Sequence, residues 1–233
     1  MGRGWVNAVR EASGQKKGKA FTKIAKEITV AVKLSGPNPE GNPRLRSALK
    51  DAQKNSMPKD TIERAIKRGT GAGDEANYEE VMYEGYGPHG VAVMVEALTD
   101  NRNRTVQDLR ACFVRGGGNL GESGSVQWMF DRVGQVLARA PKGAGDPTEV
   151  AIDVGADDVE DYENGEWCFY TNPNDVEAVE NALVKKSWEI VKAETSYKAK
   201  NATVLNPEQE KDLQHLLELL HDNDDAKRIH LSV

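Results

Sequence analysis

Val159-Glu160-Asp161-Tyr162-Glu163-Asn164-Gly165-Glu166-Trp167-Cys168-Phe169-Tyr170 reads as two short strands turning at Asn164-Gly165. An Asn-Gly pair tolerates the positive φ angles that a two-residue hairpin turn requires. On the N-terminal side, 147–154 is helical in pattern and 135–140 is strand-like. On the C-terminal side, Val176, Val179, Leu183 and Val184 recur at helical spacing, and 190–197 alternates as a strand does. The resulting order, β-α-β-β-α-β, is that of a split βαβ or ferredoxin-like domain, expected over 133–198.

Farther out, 91–98 is an apolar run of strand type and 105–115 a helix with Val106, Leu109 and Phe113 inward. Residues 125–130 alternate as a strand through Val126, Trp128 and Phe130. At the far end, Asn206-Pro207 starts a helix with Leu213, Leu216, Leu217 and Leu220 on one side, and Ile229, Leu231 and Val233 alternate. That closing strand needs a sheet to join. Residues 74–132 and 199–233 are therefore expected to form a second α+β domain, also ferredoxin-like, into which 133–198 is inserted.

The first 73 residues follow a different pattern. A short helix over 5–12 and a basic loop over 14–19 precede a helix with Phe21, Ile24, Ala25, Ile28, Ala31 and Val32 inward and Lys19, Lys23, Lys26 and Lys33 opposite. Asn42-Pro43 caps and opens a second helix, with Arg46, Lys50 and Lys54 outward. Pro58 opens a third, which Gly69 is expected to cap, and residues 69–75 have the composition of a hinge. The expected architecture is thus multidomain α+β: a basic helical bundle over 1–73, then the two sheet domains.

Charge is split along the same line. Residues 1–73 hold 16 Lys and Arg against 6 Asp and Glu, 16 − 6 = +10; the other 160 residues carry 15 − 31 = −16. A compact segment at +10 suits a polyanion, and nucleic acid is the commonest one. The candidate contacts are Lys16, Lys17, Lys19, Lys23, Lys26, Arg44, Arg46, Lys50, Lys59, Arg64, Lys67 and Arg68. The charge order along the third helix, acidic then basic, is also what its dipole favours.

Gly18-Lys19-Ala20-Phe21-Thr22-Lys23, Asn42-Pro43-Arg44-Leu45-Arg46, Met57-Pro58-Lys59-Asp60-Thr61-Ile62-Glu63-Arg64, Tyr83-Glu84-Gly85-Tyr86-Gly87-Pro88, Thr99-Asp100-Asn101-Arg102-Asn103-Arg104-Thr105 and Gly117-Gly118-Asn119-Leu120-Gly121 together resemble the YebC/PmpR family, which includes a mitochondrial translational activator. The resemblance is specific to about residue 135, weaker through 136–198 and faint in the tail. It implies three domains and no catalysis. It implies either a DNA-binding transcriptional regulator or a ribosome-associated translation factor that binds ribosomal RNA and aids proline-rich stretches. The family's basic Gly-His-Ser-Lys-Trp opening is reduced here to Gly4-Trp5 with Arg3 and Arg10 nearby.

Other motifs favour structural roles. The glycine-rich 116–121 loop leads into a strand, whereas a phosphate cradle opens a helix. Arg102 and Arg104 suit either phosphate or carboxylates, and Asn103 or Thr105 is placed to cap the helix that follows. Tyr83 and Tyr86 suit base stacking or a packed turn. His89 has no acid–base partner in sequence, the four histidines form no ligand cluster, and Cys112 and Cys168 read as small core residues. The acidic runs 157–161 and 222–225 read as solvated loops, with a protein or ribosome contact as their other use. No metal, cofactor or membrane span is expected, and the paucity of cysteine points to a reducing compartment, the cytoplasm.

Overall fold

Two four-stranded antiparallel sheets organise the chain, one in each of two compact units. The computed structural model describes residues 17–71, 77–162 and 165–233. The expected helix over 5–12, most of the 69–75 hinge, and Glu163 and Asn164 of the hairpin turn lie outside these residues. One unit gathers the described residues up to Gln127 together with Leu205–Leu231; the other holds Trp128–Val204 with Ser232 and Val233.

The first unit begins with three helices: α1 (Lys17–Ser35), α2 (Pro43–Lys54) and α3 (Lys59–Gly69). The helix α1 takes in Lys17, Gly18 and Lys19, which had read as loop. Its inner residues Ile28, Ala31 and Val32 pack with Leu45, Ala48 and Ala52 of α2, Met57 of the connecting turn and Ala65 of α3. Asn42, 1% exposed, joins the first two helices. Its oxygen accepts from the Leu45 N–H, and its amide donates to the carbonyls of Ala31 and Gly36. Gly69 is the last residue of α3, with Thr70 as the C-cap. The need for glycine there is one of approach, because a Cβ would lie 2.6 Å from both the Thr29 carbonyl oxygen and the Val32 Cβ.

The same unit continues as β1 (Glu79–Tyr86), β2 (Ala92–Thr99), α4 (Arg102–Arg115) and β3 (Asn119–Leu120). Strand β1 was not expected: Tyr83 and Tyr86, which lie in it, had suited base stacking or a packed turn, and Glu79, Glu80 and Glu84 interrupt its alternation. It nevertheless pairs with β2 along its full length. Glu84 is only 2% exposed, and its carboxylate accepts from the backbone N–H groups of Gly124, Val126 and Gln127 at 2.7–2.8 Å. Within the expected 125–130 strand, those bonds take the Val126 and Gln127 N–H groups from any ladder. Residues 127–129 accordingly form a 3-10 turn rather than the expected strand, and Trp128 is exposed.

The second unit runs β4 (Phe130–Arg139), α5 (Pro147–Val154), β5 (Asp158–Asp161), β6 (Glu166–Thr171), α6 (Val176–Lys185) and β7 (Glu189–Ala199). Its sheet order is β5-β6-β4-β7, as a split βαβ pattern requires. Val136, Phe169, Val150, Val154, Val179 and Leu183 form the core between sheet and helices. Trp188 meets Phe169 edge-on, with centroids 5.2 Å apart.

The chain then returns to the first unit as α7 (Pro207–His221) and β8 (Ala226–Leu231). Asn206 and Gln209 make a reciprocal capping box at the start of α7, and Leu213, Leu216, Leu217 and Leu220 are its buried side. The first sheet has the order β3-β1-β2-β8. This differs from ferredoxin-like connectivity. The strand that should follow β3 in the chain is supplied instead by β1, which precedes β2. The spatial pattern is kept while the threading changes, because the β1–β2 hairpin is closed locally through Pro88-His89-Gly90.

Candidate nucleic-acid interface

The side of α1 opposite its core was expected to face solvent, but Lys19, Lys23 and Lys26 meet the turn between α7 and β8. Lys19 Nζ donates to the Asp222 carbonyl at 2.7 Å, and Lys23 Nζ to the His221 carbonyl at 2.7 Å. Lys26 Nζ donates to the Asp224 carbonyl at 3.1 Å and to Asp225 Oδ1 at 2.5 Å. The residues are four and three apart, one side of a helix. Their target is the C-terminal end of α7, where unpaired carbonyls carry the negative end of the dipole.

Asp225 is the centre of this contact. Its side chain is 5% exposed, and it also accepts from Thr105 Oγ1 at 2.7 Å and from Arg104 at 3.1 Å. Burial alone would raise its pKa; the bonds from Lys26, Thr105 and Arg104 outweigh that and hold it below the ordinary carboxylate value. The 222–225 run is therefore only in part the solvated loop expected: Asp224 is exposed, but Asp225 is buried and bonded. Burial pushes Lys23 down to about 8, with Lys19 and Lys26 adding to the effect and Asp224 and Asp222 opposing it.

Arg44 belongs to a second such contact. It grips Glu27 through two nitrogens, at 2.7 and 3.2 Å, and reaches Glu80 at 2.5 Å. Lys227 closes the square, 2.9 Å from Glu27 and 3.2 Å from Glu80. Burial would raise the Glu27 pKa, but Arg44 and Lys227 bring it below its usual value. Helices α1 and α2 are thus tied to β1 and β8 through paired charges.

The other candidates point elsewhere. Arg46, Lys50 and Lys59 are exposed, as are Arg64, Lys67 and Arg68, and so is Lys54, which continues the Arg46–Lys50 row. Arg46 touches the carbonyls of Pro39 and Glu40, and Arg64 the Asp60 carbonyl and Thr61 hydroxyl. Both α2 and α3 bury their inner sides with α1, so these cations lie on the outside of the bundle. Lys16 and the side chain of Lys17 lie outside the described residues.

The rival motifs are filled by structure. In the glycine-rich loop, the N–H groups of Gly116, Gly117 and Gly118 donate to Cys112, Val114 and Phe113, and Gly121 N–H donates to Glu84. A Cβ at Gly118 would overlap the Tyr86 carbonyl, so the glycines permit close packing rather than an anion cradle. Asn101, not Asn103 or Thr105, caps α4, accepting from the Arg104 N–H. Arg102 pairs with Glu79, and Arg104 with Asp100 and Asp225. Tyr83 and Tyr86 each donate a hydroxyl bond to backbone, at 3.4 and 3.2 Å. His89 does have a partner, Asp212, at 2.8 Å on the surface. Cys168 is buried, which pushes its thiol up to about 11. Among the described residues no His, Cys, Asp or Glu group is arranged to hold a metal, and no helix is long and apolar enough to cross a membrane.

Sequence reasoning missed Asp225, Glu27 and Glu80 as partners of the cations, and Lys227 as a further cation on Glu27 and Glu80. The available signal was position: a carboxylate run directly after a helix C-terminus attracts cations.

Residues 5–72 match the model of the TACO1/YebC protein N-terminal domain, and residues 78–233 that of the TACO1/YebC second and third domain. A probable transcriptional regulatory protein of Bdellovibrio bacteriovorus is 49% identical, with all of both chains aligned. One from Desulfotalea psychrophila is 47% identical over 97% of this chain and 90% of its own. The crystal structure of a conserved hypothetical protein from Aquifex aeolicus superposes with a TM-score of 0.81 at 42% identity, over 94% of this chain and 91% of that one.

Proposed function

The chain belongs to the TACO1/YebC family, and we propose that it is a non-enzymatic, DNA-binding regulator of transcription acting in the cytoplasm. The observation that carries this reading is the exposed cation set of α2 and α3: Arg46, Lys50, Lys54, Lys59, Arg64, Lys67 and Arg68. Cations on an outer surface gain affinity from phosphates by releasing counterions, without reading sequence. The regulatory names of relatives such as those from Bdellovibrio and Desulfotalea agree with it. In this reading the bundle over 1–73 holds nucleic acid. The α+β domain of 74–132 with 199–233 carries the bundle, and the domain of 133–198 serves orientation or a protein partner.

The test is binding of the full chain to duplex DNA across a salt series. Six phosphate contacts give a slope of log K against log salt near roughly −5. Absence of binding at low salt would end this reading. Crosslinking in cells then identifies the polymer: promoter fragments support the reading, and ribosomal RNA replaces it with a translational role.

A further inference from the structure

The lysine row of α1 faces a segment that imitates a polyanion. Asp222, Asp224 and Asp225 place three carboxylates within four residues, directly after the C-terminal carbonyls of α7. Successive lysines on one side of a helix stand about 6 Å apart; here Lys19 meets the Asp222 carbonyl and, at 3.5 Å, its carboxylate, Lys23 the His221 carbonyl, and Lys26 the Asp224 carbonyl and the Asp225 carboxylate, a row of oxygens such as successive phosphates would offer. The two chain segments are about two hundred residues apart, so nothing local imposes the contact. Beside it lies an open polar cavity of about 510 Å³, lined by Thr22, Lys26, Asp108 and Asp222 among others. Asp222 and Asp224 flank that opening; Asp224 is exposed and Asp222 half-exposed. The depressed pKa of Lys23 shows that its partners do not fully repay its loss of water.

Resting on the nucleic-acid reading above, we propose that the α7–β8 turn and a nucleic-acid backbone are alternative occupants of the α1 lysine row. The turn restrains binding until a polyanion displaces it. Asp225, tied to Thr105 and Arg104, stays with its sheet. The displaced groups are Asp222, Asp224 and the helix-end carbonyls. Occupation by phosphate would add Lys19 and Lys23 to the contacts of α2 and α3, while Lys26 stays with Asp225.

The test uses the full chain with Asp222→Asn and Asp224→Asn together, measured against one fixed duplex by anisotropy after a thermal melt confirms folding. The one exposed pair removed, Lys19–Asp222, at its usual strength predicts binding tighter by about two- to fivefold. Two controls separate competition from a general change of charge. Glu208→Gln with Glu210→Gln removes equal charge at the other end of α7 and should change affinity less. In a Lys19→Gln, Lys23→Gln background the Asp222/Asp224 gain should disappear. Unchanged binding, a gain matched by the Glu208/Glu210 control, or a gain that survives without the lysines would each overturn the proposal. All three outcomes leave the outer-face reading standing. Wild-type protein that binds no duplex at all would defeat that reading first.

Discussion

The cations of α1 and those of α2–α3 have the same chemistry and similar spacing, and they meet opposite environments. Lys26 is 11% exposed against a carboxylate that is 5% exposed, whereas Lys50, Lys67 and Arg68 stand in solvent. Both rows arise from the same rule, apolar residues inward and charge outward on an amphipathic helix. The difference teaches that outward from a helix's own core is not outward from the protein. A second element placed against the polar side turns a solvated row into a buried ionic contact.

The most damaging change to this contrast should be Asp225→Ala. It leaves Lys26 without its carboxylate and takes from Thr105 and Arg104 an acceptor they share, at a carboxylate only 5% exposed. Breaking one side of a buried pair costs about 3–5 kcal/mol. Denaturant unfolding measures it, and a loss below about 1 kcal/mol would show that the α1 contact is as loose as a surface pair.

A smaller effect should follow pH through Lys23. Its folded value of about 8 lies below the ordinary 10.5, so between those values the unfolded chain holds more protons than the folded one. Stability contributed through this residue therefore rises with pH across that window. Wild type should gain on Lys23→Met as pH climbs from 8 to 10.5, with the gap constant below pH 7. Parallel profiles of the two proteins throughout would contradict a buried, charge-stressed lysine.

On stability, the outer face should show the least. Lys50, Lys54, Lys67 and Arg68 changed together to Glu should alter unfolding free energy by no more than about 0.5 kcal/mol per site. The same variant should lose most duplex affinity, and the salt slope should fall by roughly 0.9 for each phosphate contact removed. A variant that melts early but binds normally would reverse the contrast between the two rows.

Much of the fold is legible in the sequence. Helix starts at Asn42-Pro43 and Asn206-Pro207 are local chemistry, and the structure shows both caps. The 130–199 sheet was legible because strand-like runs flank the Asn164-Gly165 pair and 190–197 alternates in sequence, and these segments pair as strands. Strand β1 was not, because its glutamates obey remote partners: Glu79 pairs with Arg102, Glu80 with Arg44 and Lys227, and Glu84 with three backbone N–H groups. The candidate site was half legible. Composition found the basic segment, but no pattern in α1 distinguishes a lysine bound for solvent from one bound for Asp225.

By itself, then, the sequence determined the three described helices of the bundle, the charge split and the strand order of the second sheet. Each depends on residues close in the chain or on simple periodicity. Only the tertiary structure decided the threading of β1 beside β3, the burial of Asp225 and the division of cations into engaged and exposed. Those outcomes depend on groups brought together from distant segments, where the low dielectric makes pairing decisive and one-dimensional pattern carries no record of the partner.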